Sequence, residues 1–247
     1  SGTLFERARR LVCWHYQWMI RHDYLPRVLH NDVWREQRVP RKAGTDFSVP
    51  IEFALGAFRF GHSMVRNAYR LNCRRKRVLI GELMDLGQKA EPISDDDLVE
   101  WGTFFDGLPT SGPQASSSFI DTSVSRAMHG LSEGTIRLVN KLEVIDPSNL
   151  PLRTLLRGAR TQLPSGEEAA EVFLSQGKIR PEDRLSPLEL ATNTCDQSGT
   201  ALAKNGLIGN TPLFYYVLKE AEVKGGGLSL GPVGSHILSE VIQGALE

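Results

Sequence analysis

The sequence predicts an all-α domain with long ordered loops and little β structure. Three observations carry this. Apolar residues recur at three- and four-residue steps over several long windows, strictly alternating stretches are scarce, and Pro/Gly/Ser-rich segments separate the periodic windows. The chain has 247 residues, ample for a buried core. It shows no internal repeat and reads as a single domain over residues 1–247.

The first window begins at Thr3. Leu4, Ala8, Leu11, Trp14 or His15, Trp18 and Met19 recur at helical steps, and Thr3 with Glu6 makes a capping box. Pro26 is expected to limit this helix. Residues 30–48 are polar and punctuated by Pro and Gly, and read as a loop. Residues 50–72 give the cleanest helical pattern, capped by Ser48: Ile51, Leu55, Phe58, His62, Val65 and Tyr69 form one apolar stripe with a histidine at its centre. Residues 78–83 read as strand or loop, 95–105 as a helix with an acidic N-terminus (Asp95, Asp96, Asp97), and 107–118 as an exposed loop. Further helices are expected at 119–131, 133–143, 151–161, 166–176, 210–223 and 232–246. Trp14, Trp18 and Trp101 read as core aromatics.

Composition excludes several classes. Lys plus Arg and Asp plus Glu both number 29, so no global field favours nucleic acid or an anionic surface. The run from Arg74 to Arg77 reads as a solvated loop. Cys13, Cys73 and Cys195 are too dispersed for a disulfide framework or a zinc site. No apolar run approaches ~18 residues, so no membrane span is expected, and no secretory leader is visible. The start at Ser1, close to an amphipathic helix, suggests a processed or excised piece.

His62 is the residue with the most chemical promise. Gly61 precedes it in mid-window, where Gly costs ~1 kcal/mol against Ala but lets a flat group approach closely. Arg59 and Arg66 stand three before and four after it. Two neighbouring guanidinium groups disfavour a protonated imidazole, and a metal needs the neutral form. The residues alone leave a core histidine and a metal ligand both open. His15, His30, His129 and His236 have no partner at metal spacing and read as structural or exposed. The Gly225–Gly227 run is a turn and lacks the Lys-Ser/Thr of a phosphate loop.

The string Ala57-Phe58-Arg59-Phe60-Gly61-His62-Ser63-Met64 resembles the proximal helix of the animal-type haem peroxidase superfamily, the group of myeloperoxidase and the cyclooxygenases. Three more segments agree in order. Leu4 to Val12 followed by Asp23-Tyr24-Leu25-Pro26 resembles the preceding helix. Leu150 to Gly158 followed by Leu163-Pro164 resembles the second proximal segment. Thr211 to Glu222 followed by Leu230-Gly231-Pro232-Val233-Gly234 resembles the closing part of bacterial members.

The resemblance implies a haem-binding peroxidase, the proximal half of the fold, with hydrogen peroxide and a small organic or halide donor as substrates. It makes His62 the axial iron ligand. Arg59 would face a propionate or support the proximal side, and Arg157 would be a second propionate partner. Thr154 stands where the family usually has an Asn that accepts the imidazole's outer N–H, which puts the strength of that hydrogen bond in question. The distal His and Arg that cleave peroxide would lie upstream of this chain, in a missing half or a separate N-terminal chain; His22-Asp23 falls in the wrong helix to replace them. Two competing readings remain. One is a fatty-acid dioxygenase or cyclooxygenase-like enzyme using a tyrosyl radical, for which Tyr69, Tyr215 and Tyr216 are available. The other is a degenerate, haem-free helical interaction module.

Overall fold

A computed structural model of the chain describes residues 3–36, 48–88, 92–131, 146–193 and 196–246. It divides into two compact units. The first comprises Ser1–Phe60, Ile120–Thr122 and Gly158–Glu247, and the second Gly61–Phe119 and Ser123–Arg157. Among the described residues the only sheet is a two-stranded one, so the all-α expectation holds.

The first unit opens with α1 (Leu4–Met19), capped by the Thr3/Glu6 box as expected. The helical path does not stop at Pro26. It widens into a π turn at Ile20–Tyr24 and resumes as α2 (Leu25–Val28), with Pro26 in the first turn, where a missing N–H is tolerated. α3 (Asn31–Glu36) then occupies part of the expected loop. α1 has no buried residue. Trp14 and Trp18 are 61% and 56% exposed, so the expectation of core aromatics fails; Trp18 rests against the His22 ring of the π turn, with ring centres 5.0 Å apart.

The core of the first unit is built around α9 (Leu213–Lys224), which is buried along most of its length. α6 (Gly166–Ser175) and α10 (Pro232–Leu246) pack against it, as does the π turn Glu52–Gly56. Leu213, Val217, Leu218, Ala170, Val233 and Leu238 are each at most 2% exposed. Close approach explains two glycines. A Cβ on Gly56 would come within 2.8 Å of Leu213 Cδ2, and one on Gly166 would overlap the Tyr216 side chain. α5 (Leu150–Arg160), α6, α9 and α10 coincide with four expected helices. Two short helices were not foreseen, α7 (Pro187–Ala191) and α8 (Ser198–Lys204). Ser186 with Glu189 caps α7, and Asp196 accepts from Ser198 N at the start of α8.

Buried polar groups tie this unit together. Glu167 accepts from the backbone N–H groups of Gly209 and Thr211 (3.0 and 2.9 Å). Glu220, fully buried in mid-α9, accepts from Val233 N and Gly234 N (3.0 Å each) at the N-terminus of α10.

The stretch that leads from the first unit into the second departs furthest from expectation. Residues 50–72 are not one helix: the π turn Glu52–Gly56 tightens into a 3₁₀ helix, Ala57–His62, and helical structure ends there. The chain turns into β1 (Ala68–Tyr69), paired antiparallel with β2 (Val78–Leu79), which leads into α4 (Ile80–Gln88). Val65 and Tyr69 therefore leave the helical stripe.

Residues 95–105 form two 3₁₀ turns, Asp95–Asp97 and Trp101–Thr103. Side chains compete with the expected helix. Asn72 donates to the carbonyls of Asp96 and Leu98 (2.8 Å each), Asp96 pairs with Arg74, and Asp97 with Arg75. The Arg74–Arg77 run is thus an exposed loop, partly neutralised by pairing. Trp101 is 60% exposed, a second correction to the core aromatics. Residues 119–131 hold only the 3₁₀ turn Arg126–His129. Ala127 N bonds the Asn67 side chain there instead of a helical carbonyl. The helix expected at 133–143 and Cys195 lie outside the described residues.

Candidate functional site

The site begins where the π turn passes into the 3₁₀ helix. Such irregular helical turns are over-represented at functional positions. Gly56 fixes the near end under Leu213, while Phe53 and Phe58 stack with ring centres 4.8 Å apart. Ala57 and Phe60 are buried. Arg59 and His62 are one 3₁₀ turn apart, so they project from the same side of the helix. Arg59 Nε donates to Ala54 O at 3.3 Å.

His62 is half-buried, with Nδ1 shielded from solvent. A Cβ built on Gly61 meets nothing within 4 Å. Open space therefore lies on the helix surface at Gly61, the residue before the imidazole. The sequence argument from Arg66 does not survive. The helix ends at His62, and Arg66 instead donates through Nη1 to Ser116 O at 3.0 Å.

The other sequence-predicted site residues, Thr154 and Arg157, lie on α5, which up to Arg157 falls in the same unit as His62. Asn149 Oδ1 accepts from Leu152 N at 3.0 Å and orders its first turn. Thr154 is 1% exposed, and its Oγ1 donates to Leu150 O at 3.0 Å. The hydroxyl proton is then directed at the helix's own carbonyl, and the oxygen's two lone pairs are acceptors. Arg157 is exposed and stands one turn further along.

The sequence analysis missed Arg153. Arg153, Arg157 and Arg160 recur at i, i+4 and i+7, which sets three guanidinium groups in one stripe along α5. Burial, and then the neighbouring Arg157, hold Arg153 below the usual guanidinium range. Crowded, partly desolvated cations of this kind are relieved by an anion. The helical spacing of the three arginines was the available signal.

The tyrosines are held by structural partners. Tyr69 Oη accepts from Arg66 N at 3.0 Å, and Tyr216 Oη accepts from Leu185 N at 3.2 Å. Tyr215 Oη lies 3.2 Å from Asn193 Oδ1 and 3.3 Å from Leu190 O. Burial raises the phenols of both Tyr215 and Tyr216. His15 and His129 are exposed. His236 is buried against Phe173 and bonded to Lys178 O at 3.0 Å. No group of three or more His, Cys, Asp or Glu could hold a metal ion among the described residues. No helix among them is long and apolar enough to cross a membrane.

Comparison with known proteins adds one match. The family model for animal haem peroxidase matches residues 1–138, more than half of the chain. The matched stretch contains Arg59 and His62; Thr154 and Arg157 lie beyond it. No curated protein matches the chain.

Proposed function

We propose that this chain, which belongs to the animal haem peroxidase family, holds haem through His62 and takes part in oxidising a small organic or halide donor with hydrogen peroxide. The observation that carries this reading is His62 itself. It ends an irregular helix inside the matched stretch, half-buried, beside a glycine whose outer side is open.

The residues present fit the cofactor. The His62 imidazole would supply a nitrogen ligand to the iron, Gly61 would leave room for a flat macrocycle, and the α5 arginines would suit carboxylate side chains of the ring. Bound haem would supply the redox chemistry. This chain's residues hold and tune it. His62 binds in the neutral form, and Thr154 Oγ1, its own proton directed at Leu150 O, accepts the imidazole's outer N–H. Arg157 and Arg59 pair with the propionates. A separate N-terminal chain or segment brings the acid–base and charge-stabilising groups of the distal side.

The test is an absorption spectrum and a pyridine haemochromogen assay on protein coexpressed with haem, for the wild type and His62→Ala. A Soret band that is lost or shifted in the variant, with circular dichroism unchanged, is the expected result. If neither protein takes up haem, the ligand assignment fails, and the haem-free interaction module becomes the leading reading.

A further inference from the structure

Among its described residues the first unit carries two exposed surfaces whose chemistry is complementary. One is α1. At about 100° per residue, its apolar side chains run from Trp14 through Leu11 and Leu4 to Tyr16 over roughly 200° of arc. None is buried, and Leu4, Leu11, Trp14 and Trp18 are 56–83% exposed. A broad, mostly apolar face of this kind, interrupted by Arg7 and His15, marks an interaction site. Its charge is positive, with Arg7, Arg9 and Arg10 against Glu6 alone. Arg7, Arg10, Trp14 and Trp18 share one edge of the helix.

The other surface is a half-open groove of about 310 Å³ between α6 and α10. Its floor is Ala169, Phe173, Ile237 and Val241, each at most 8% exposed. Its rim is acidic, with Glu52, Glu168 and Glu240 against Lys178 alone. Lys178 is already paired with Glu240 at 2.5 Å and lies over the Phe173 ring at 5.4 Å. An apolar groove with surplus negative charge selects an apolar segment flanked by cations.

We infer that α1 of one copy docks in the α6–α10 groove of a second copy, with a tryptophan from the Arg7/Arg10/Trp14/Trp18 edge in the groove and the arginines against its acidic rim. The volume accommodates one indole and a neighbouring aliphatic side chain, and tryptophan is a favoured interface anchor. Each such contact covers the helix of one copy and the groove of another, and a reciprocal pair covers both surfaces of both copies. Antiparallel pairing of α1 with α1 is disfavoured because residues 11–19 of the helix contain no carboxylate to meet the partner's arginines. This association is independent of haem.

Sedimentation velocity on the full chain, from low to high micromolar concentration, tests it with two variants. Trp14→Asp with Trp18→Asp removes the anchor from an exposed helix. Val172→Trp, at a position 52% exposed, fills the groove mouth. The wild type self-associates, more weakly as salt rises. Each variant alone is weakened by about tenfold or more, with circular dichroism unchanged. An equimolar mixture of the two variants regains association, because one partner keeps its groove and the other its helix. A wild type monomeric throughout overturns the inference. So does undiminished association of the Val172→Trp variant, which would indicate α1–α1 pairing, or a mixture that stays monomeric. A wild type that stays monomeric yet cosediments with anionic vesicles would assign α1 to a lipid surface instead.

Discussion

Glu220 makes the stability of the first unit depend on pH in a direction opposite to that of most acidic residues. Its side chain is fully buried, and its two oxygens face the first N–H groups of α10. Burial pushes the carboxyl up from 4.5 to about 8, with Asp183 adding to the rise; the Gly234 and Val233 N–H groups and Lys224 pull against it without cancelling it. The folded value therefore lies above the unfolded one. Stability from this group is fully present below pH 4.5 and is lost as pH rises through about 8. Between those limits the unfolded chain has released the proton and the folded chain has kept it, so stability falls by about 1.4 kcal/mol for each pH unit.

Glu220→Gln is the informative perturbation, because an amide has nearly the shape of the protonated carboxyl and cannot titrate. At pH 5 the variant loses about 1–2 kcal/mol, because its amide NH2 cannot accept from one of the two α10 N–H groups and that hydrogen bond is lost. At about 1.4 kcal/mol per pH unit the gap closes at about pH 6 and is reversed above it, where the wild type bears the cost of its buried carboxyl. Urea unfolding followed by far-ultraviolet circular dichroism, at pH steps from 5 to 8.5, measures both curves. A wild type whose stability rises over this range relative to Glu220→Gln would refute the reasoning. It would mean that the two N–H donors and the α10 dipole overcome burial and keep the carboxyl ionised.

Gly166→Ala places a Cβ on the Tyr216 side chain and should cost about 1–3 kcal/mol by overpacking, read as a lower Tm. Glu167→Ala leaves Gly209 N and Thr211 N without their carboxylate; a loss of about 2–3 kcal/mol in urea titrations is expected, with amide exchange at both positions accelerated. In haem-loaded protein, Arg157→Glu should weaken haem retention by about tenfold or more in competition with apomyoglobin, whereas Arg157→Lys keeps the charge and loses less. Thr154→Val keeps the shape of the side chain but removes its acceptor, which should raise the iron's midpoint potential, while Thr154→Asn lowers it; spectroelectrochemistry reads both.

What was legible in the sequence follows from where each residue finds its partner. α5, α6, α9 and α10 were readable because their apolar periodicity, caps and bounding glycines all act within one element. The windows at 50–72, 95–105 and 119–131 were misread because distant groups win there. Asn72 takes the carbonyls of Asp96 and Leu98, Arg74 and Arg75 take Asp96 and Asp97, and β2 takes residues 68 and 69. A local periodicity cannot register a competitor elsewhere in the chain. The tryptophans failed for the converse reason. α1 has the pattern of a buried helix, and periodicity states that a face is suited to burial without stating what buries it. The candidate site shows both effects. His62 and Arg59 were found from a short string, because a 3₁₀ turn and an α turn both set i and i+3 close together. Arg66 was assigned to the same face only by extending the helix one turn too far. Arg153 was overlooked, although its spacing to Arg157 and Arg160 was in plain view, because a crowded cation gains meaning only once its burial is known.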